Sequence, residues 1–169
     1  MVMKSAWMTF SGMSVIYYGD EISMDGENDP DCRKTMAWDN MNTELLDFYK
    51  QLISIRKKSS SLRHGDFKCI YSTGNVFAFA RQYNLETTYV IINNSETVNN
   101  VTIPIFEDIT KITKIQSFAS NNHIKPEPCD EEDKMHNQDI FDYKSKIDIE
   151  LEPYSFDITR LKMSPTCFS

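Results

Sequence analysis

The feature that most constrains the fold is a change in hydrophobic period near Asp66. Beyond that residue, apolar side chains recur at every second position in short runs, which is the pattern of β-strands with one buried face. The runs cover residues 67–71, 76–80, 88–92, 101–105, 111–118, 147–151 and 154–159. No helical pattern separates them, so the sequence predicts an all-β antiparallel sandwich over residues 62–169.

One clear helix is predicted before this change. Residues 43–58 carry apolar side chains three and four positions apart, which gives a single apolar stripe. Asn42 or Thr43 can cap the N-terminus, and the basic residues 56–58 suit the last turn. The three serines at 59–61 are expected to end the helix.

The first 42 residues are predicted to form a short α/β unit. Residues 1–11 are apolar and are expected to be the end of a buried helix or an apolar loop. Residues 15–18 (Val-Ile-Tyr-Tyr) follow as a short apolar run, which predicts a buried strand. Residues 19–42 are rich in Asp and Asn and show little periodicity, and long loops of this kind often bind ligands. Later in the chain, residues 119–146 contain an acidic run at 130–133 and are expected to be a solvated loop.

Length and charge narrow the functional classes. The chain has 169 residues, which is too few for a complete eight-fold α/β barrel of roughly 250 residues. With 25 acidic and 18 basic side chains, the formal net charge is −7. This balance argues against a nucleic-acid binder, which needs basic groups to neutralise phosphates. Neutral ligands such as sugars are compatible with it.

The cysteines indicate a reducing compartment. The four cysteines are widely scattered, and no pair has the close spacing of a zinc site: Cys32, Cys69, Cys129 and Cys167. No metal site is therefore predicted, and no cofactor is predicted either. Four reduced thiols favour a cytoplasmic protein. The N-terminus lacks the long apolar run and the cleavage site of a signal peptide. No stretch approaches the roughly 20 apolar residues of a membrane-spanning helix, so no membrane contact is predicted.

Two residues of the long loop could bind a neutral sugar. The Asp29 carboxylate can accept hydrogen bonds from hydroxyl groups, and the Arg33 guanidinium can donate to them. The alternative is that Asp29 and Arg33 pair with each other and brace the loop. The physics of the sequence alone favours this second interpretation.

Motifs in this region resemble a known family. Residues 12–21 (Gly-Met-Ser-Val-Ile-Tyr-Tyr-Gly-Asp-Glu) resemble the last barrel strand and following loop of the α-amylase family of glycoside hydrolases, with Ser14 where proline is usual. Residues 29–33 (Asp-Pro-Asp-Cys-Arg), with Trp38 and Asp39, are similar to the cyclomaltodextrinase, neopullulanase and maltogenic amylase branch. Residues 46–56 resemble the final barrel helix, residues 62–67 the entry into the C-terminal sandwich, and residues 152–156 its closing strand.

The resemblance implies a fold and a division of roles. Residues 1–61 would be the last strand and helix of a TIM-type barrel, with the sandwich following at 62–169. Asp29 and Arg33 would contact an α-glucan on the non-reducing side of the cleavage point, whereas Asp20 and Glu21 match structural residues. The family's catalytic carboxylates lie on earlier barrel strands, and their motifs do not occur here, so no catalytic residue is predicted.

The expected function is that of a C-terminal fragment of an α-glucan hydrolase that is inactive alone. Its partners would be the missing barrel portion and, through the complete enzyme, an oligosaccharide. One alternative is a stand-alone carbohydrate-binding sandwich, in which Tyr71, Tyr83 and Tyr89 would stack on sugar rings. The other is the docking half of an enzyme assembled from two chains. A stand-alone carbohydrate-binding sandwich would bind glucan in isolation, whereas a docking fragment would not.

Overall fold

The computed structural model describes residues 2–107, 112–118, 126–128 and 144–164, with the two short ranges described by their backbone alone. The helices are α1 (Val2–Thr9), α2 (Thr43–Lys58) and α3 (Ser60–His64), and single 3-10 turns cover Asp20–Ile22 and Asp31–Arg33. The strands are β1 (Asp66–Thr73), β2 (Val76–Tyr83), β3 (Glu86–Asn93), β4 (Asn99–Ile105), β5 (Ile112–Phe118), β6 (Pro126–Pro128), β7 (Ser145–Leu151) and β8 (Phe156–Met163).

The described part of the chain stacks in three layers. Five strands form a sheet in the order β1-β2-β3-β8-β5, and β4-β7-β6 form a second sheet that packs on one of its faces. The strand pairs recorded in both sheets are antiparallel. The helices cover the other face of the larger sheet. An antiparallel sandwich is therefore confirmed, with a helical layer added to it.

Successive side chains of the central strands β2 and β3 point to opposite faces of the larger sheet, and they contribute to the hydrophobic core on each face. Ala78 and Ala80 of β2 face the smaller sheet, together with Tyr89 and Ile91 of β3. The residues between them, Phe79 and Val90, face the helices. Because both faces are covered, every residue of β3 is buried.

The helices reach the sheet through apolar and polar contacts. Met8, Leu52 and Leu62, one from each helix, are at most 4% exposed and pack on the larger sheet. Arg81 of β2 donates to the carbonyl of Thr9 at 3.1 Å and to that of Gly65 at 2.7 Å. These acceptors lie at the ends of α1 and α3, where backbone carbonyls lack intrahelical partners.

A buried carboxylate completes this connection. Oε1 of Glu86 accepts hydrogen bonds from the Ser59 hydroxyl at 2.7 Å and from the Ser61 backbone N–H at 3.0 Å. Lys162 Nζ lies 3.4 Å from the other carboxylate oxygen. Gly65 is the first residue after α3. A Cβ atom at this position would lie 2.8 Å from the carbonyl oxygen of Gln82 in β2, so glycine allows the backbone after α3 to pack closely against the sheet.

Most predicted elements are confirmed. The helix over 43–58 has the predicted bounds, and the Asn42 side chain caps it by accepting from the Leu45 N–H at 3.0 Å. The helical alternative for residues 1–11 is correct as to the helix, since α1 lies there, but its burial is only partial, because Met3 and Trp7 are largely exposed. All seven predicted strands of the sandwich are present. The sequence interpretation missed α3, which spans the predicted boundary between residues 61 and 62. It also missed β6, inside the predicted 119–146 loop, of which residues 119–125 and 129–143 lie outside the described part.

The predicted buried strand at residues 15–18 is wrong. These residues form no strand in the described part of the chain, and the side chains of Val15 and Tyr17 are 62% and 64% exposed. A strand is stabilised by hydrogen bonds to neighbouring strands, and no described strand pairs with this segment. The local composition is that of a strand, but a partner is required for the structure to form.

We expect Glu86→Gln to lower the free energy of unfolding by about 1–2 kcal/mol, because neutral hydrogen bonds would replace charge-assisted ones in a buried site. Urea unfolding at pH 7 measures this difference. Glu152→Gln is the matched control, since Glu152 is exposed and its carboxylate makes none of the recorded hydrogen bonds. Equal stability of the two variants would contradict a stabilising role for Glu86.

The same variant should show a defined pH dependence. Burial acts to raise the pKa of Glu86, but hydrogen bonds from the Ser61 N–H and the Ser59 and Ser61 hydroxyls, with the positive charge of Arg160, lower the pKa overall. A lowered pKa stabilises the fold above the unfolded-state value of about 4.3. We therefore expect the difference between the parent chain and Glu86→Gln to shrink as pH falls through the folded-state pKa. A pH-independent difference would contradict this.

Limited trypsin digestion should cut the exposed loop before the helical layer. Arg33 and Lys34 are exposed, whereas the buried stripe of α2, including Leu52, packs on the sheet. Exposed segments open at lower free energy than packed ones. N-terminal sequencing of the resistant product should place its first residue at 34 or 35. A product that begins after Lys58 would show that α2 is not part of the stable unit.

Candidate functional site

The segment 19–42 joins the exposed stretch 13–18 to α2 and forms a compact loop. Asp31 lies at its centre, where its carboxylate accepts from the Glu27 N–H at 2.9 Å and pairs with Lys34 Nζ at 3.0 Å. These contacts with Glu27 and then Lys34 lower the pKa of Asp31 below its ordinary value. The loop is thus closed by local hydrogen bonds.

Gly26 allows the two arms of the loop to touch. A Cβ atom at this position would lie 2.9 Å from the Cys32 Cα atom and 3.3 Å from the Asp31 carbonyl oxygen. Such distances are too short for a side chain, so the backbone at Gly26 packs directly against residues 31–32. The backbone therefore approaches itself closely in the middle of the loop.

Asp29 and Arg33 lie together on this loop. Arg33 Nη2 donates to Asp29 Oδ2 at 2.6 Å, and their side chains are 56% (Asp29) and 74% (Arg33) exposed. The pairing is the one expected from the sequence, and both groups remain accessible to solvent. An exposed ion pair of this kind contributes about 0–1 kcal/mol to stability. The arrangement presents a carboxylate and a guanidinium side by side, which suits hydrogen bonding to vicinal hydroxyl groups.

Asp20 and Glu21 lie on the 3-10 turn Asp20–Ile22, next to α2. Burial raises the pKa of Tyr49 on α2, and the negative charges of Asp20 and Glu21 raise it further. Lys4 Nζ lies 5.1 Å from the centre of the Tyr49 ring, above its face. One carboxylate oxygen of Glu21 is buried without a hydrogen-bond partner. These contacts bring the loop, α1 and α2 together.

Two hollows flank an exposed ridge on α1. A groove of about 650 Å³ lies between α1 and the β1–β2 turn, and a second hollow of about 370 Å³ lies between α1, residues 15–17 and Tyr49. Met3 and Trp7 line both hollows and are 69% and 59% exposed. The sequence interpretation missed this surface because an apolar helical segment also fits a buried position. Their exposure becomes clear only in the tertiary structure, where no described element packs over Met3 and Trp7.

The described residues offer no grouping of three or more His, Cys, Asp or Glu side chains that could hold a metal ion. Cys32 and Cys69 are free and exposed, while Cys129 and Cys167 lie outside the described ranges. Among the helices described, none is long and apolar enough to span a membrane.

The tyrosines considered for sugar stacking differ in position. Tyr89 is fully buried, and its hydroxyl donates to Glu107 Oε2 at 2.6 Å, so it belongs to the core. Tyr71 is half-buried against the same core. Tyr83 is 40% exposed, with its ring 5.5 Å from that of His64. The three tyrosines therefore form no common platform for a sugar.

Comparison with known proteins agrees with the motifs. Residues 65–125 match the family described as the α-amylase C-terminal domain. The cyclomaltodextrinase of Thermoanaerobacter pseudethanolicus is 39% identical over 123 residues, which are 70% of this chain and 21% of that protein. The intracellular maltogenic amylase of Bacillus subtilis is 33% identical over 98 residues, which are 55% of this chain and 17% of that protein. The chain thus spans about a fifth of the length of these curated relatives.

The fold comparison extends over nearly the whole chain. The solved structure of the debranching enzyme from Nostoc punctiforme superposes with a TM-score of 0.70 at 26% identity. The superposition covers 94% of this chain and 30% of that one, so it includes helical residues as well as both sheets. Sequence and fold together show that residues 65–125 match the α-amylase C-terminal domain and that the chain is similar to the C-terminal part of cyclomaltodextrinase, neopullulanase and maltogenic amylase.

Proposed function

We propose that the chain is the C-terminal part of an α-glucan hydrolase that acts on maltodextrin, cyclodextrin or pullulan. Residues 1–61 would supply the last helix of the barrel and, once paired with the preceding strands, its last strand, while residues 62–169 would be the sandwich domain. The observation that carries the proposal is the 39% identity to a cyclomaltodextrinase over 70% of this chain. An intracellular location is part of the proposal and is supported by the similar maltogenic amylase of Bacillus subtilis, which is named as intracellular.

The distribution of exposed apolar groups supports docking to a barrel. Of the twelve large apolar side chains that are exposed among the described residues, nine lie in the first 41 positions. They are Met3, Trp7, Phe10, Met13, Val15, Tyr17, Tyr18, Trp38 and Met41. An exposed concentration of this kind marks an interaction surface. The remaining barrel is the occupant that we assign to it.

The segment 13–17, which forms no helix or strand in the described structure, suits the same partner. Backbone groups of an unpaired strand readily accept neighbouring strands. Strands from the rest of the barrel would satisfy these groups and cover Val15 and Tyr17. The 15–18 segment would then form the strand that its sequence favours.

In this proposal the chemistry is divided between the parts of the enzyme. A retaining glycosidase uses two carboxyl groups about 5–5.5 Å apart, one as acid and one as nucleophile. Both groups are assigned to the preceding barrel strands. Asp29 and Arg33 hold the non-reducing side of the glucan, and the sugar hydroxyls replace water around their ion pair. The same division applies if the two parts are separate chains.

Replacement of Asp29 or Arg33 by alanine tests the substrate role in a hybrid enzyme, in which this chain follows the barrel of the Thermoanaerobacter pseudethanolicus cyclomaltodextrinase. Loss of charge-assisted hydrogen bonds worth about 1.5–3 kcal/mol should reduce kcat/KM for maltodextrin by about 10- to 150-fold. The Tm should hardly change, because the pair is exposed. Activity on a short activated glucoside should be nearly unaffected.

Asp47→Ala is the matched control, because Asp47 pairs with Lys50 at 3.0 Å in an equally exposed position on α2. This variant should retain full kcat/KM on both substrates. If Asp29→Ala instead lowered the Tm and affected both substrates equally, the pair would only brace the loop.

The purified chain alone should release no reducing sugar from maltodextrin, cyclodextrin or pullulan, because the acid and nucleophile are assigned to the barrel. Addition of the separately produced barrel should restore activity if the two parts associate. Trp7→Ser should weaken this association, measured by sedimentation, without lowering the Tm of the chain. Tyr83→Ser is the control for an exposed aromatic outside the proposed interface. Turnover by the chain alone would overturn the division of roles.

A further inference from the structure

Tyr18 connects segment 13–18 to the loop 19–42, which carries Asp29 and Arg33. Its hydroxyl oxygen lies 3.2 Å from the carbonyl oxygen of Cys32 and 3.3 Å from that of Lys34, so one hydroxyl proton is shared between two acceptors. These carbonyls flank Arg33. The hydroxyl therefore holds the backbone on both sides of the residue that pairs with Asp29.

The Tyr18 hydroxyl contact links the loop 19–42 to the segment that precedes it. Gly26 packs against one side of Cys32, and the Asp31 carboxylate ties the inner turn to Glu27 and Lys34. These contacts close the loop upon itself but do not fix it to the rest of the molecule. The Tyr18 hydroxyl joins the closed loop to a residue of the proposed barrel strand.

The electrostatics of Tyr18 keep it a donor. Desolvation raises the pKa of its hydroxyl above the ordinary tyrosine value, and the neighbouring Tyr17 raises it further. A tyrosine hydroxyl is protonated at neutral pH even at its ordinary pKa of about 10, and this shift acts in the same direction. A phenylalanine at this position would keep the ring, whose centre lies 4.8 Å from that of Tyr17, and would remove only the hydrogen bonds.

We propose that Tyr18 is a positioning residue for the Asp29–Arg33 pair: its hydroxyl anchors the loop backbone at Cys32 and Lys34 and so sets where the pair presents itself to a glucan. This inference rests on the proposed function for its substrate, whereas the anchoring itself is a property of the chain. The residue acts through Asp29 and Arg33 and does not contact the reacting atoms. Its loss should weaken binding of longer glucans and leave the chemical step unchanged.

The anchoring is tested on the chain as it is, by the rate of trypsin cleavage after Arg33 and Lys34. Under conditions in which the loop opens and closes faster than it is cut, this rate reports the open population. Tyr18→Phe should raise the rate by about three- to tenfold, as expected for one lost hydrogen bond. Tyr83→Phe is the control, and neither variant should change the Tm by more than a degree or two. An unchanged cleavage rate in Tyr18→Phe would overturn the inference.

Gly26→Ala provides an independent variant, because its methyl group would push Cys32 away from its present position. It should raise the cleavage rate at the same two bonds while Tyr18 is intact. If Tyr18→Phe failed to fold, a normal cleavage rate in Gly26→Ala would contradict the idea that the Cys32 backbone position controls loop order, and an increased rate would support it.

The substrate consequence is measured in the hybrid enzyme. Tyr18→Phe should raise KM for maltodextrin by about three- to tenfold, leave kcat unchanged, and leave KM for the short activated glucoside unchanged. If Asp29→Ala had no effect on KM, the proposed substrate role would fail although the trypsin result could still stand. If Asp29→Ala raised KM and Tyr18→Phe did not, the positioning role alone would be wrong.

Discussion

Buried hydrogen bonds between the helix ends and the larger sheet hold the described structure together. Helices end with backbone carbonyls that lack intrahelical partners, and burying such groups without hydrogen bonds is costly. Here Arg81 and Arg160 of the sheet donate to the carbonyls of Thr9 and Lys58, respectively. Glu86 accepts from Ser59 and Ser61 at the junction of α2 and α3. The helical layer can therefore cover an apolar sheet face without leaving its own polar ends unsatisfied.

Arg56 extends this arrangement to the exposed N-terminal part. Its guanidinium donates to the carbonyls of Met8 and Phe10 at 2.9 and 3.0 Å and to that of Gly12 at 2.5 Å. One side chain of α2 thus fixes the end of α1 and the start of segment 13–18. That segment carries Tyr18, whose hydroxyl contacts the loop of Asp29 and Arg33. A continuous set of contacts leads from the sandwich to the candidate substrate site.

The sandwich differs from the N-terminal segment in how its apolar side chains are covered. The described core residues of the sandwich are covered by a second sheet and by helices, all within this chain. The segment with α1 and residues 13–18 has apolar side chains on a surface that no described element covers. This contrast is what the proposed barrel partner explains, and it is consistent with a match to only 21% of the length of the similar cyclomaltodextrinase.

Local pattern alone determined much of this protein. The stripe over 43–58, the Asn42 cap and the alternation beyond Asp66 depend on residues close in sequence, and each predicted element appears in the structure. The pairing of Asp29 with Arg33 was also predictable, since it spans four positions on one loop. The motifs around both regions indicated the family.

Tertiary structure decided what depends on distant partners. The apolar run at 15–18 has strand composition but pairs with no described strand, so it forms no strand there, and Val15 and Tyr17 are exposed. Tyr89 could equally have faced solvent, but a second sheet and Glu107 enclose it. The Tyr18 contact joins residues 14 and 16 positions apart, and the Glu86 contact joins residues 25 and 27 positions apart. No local pattern predicts such contacts, because they form only when separate segments pack against each other.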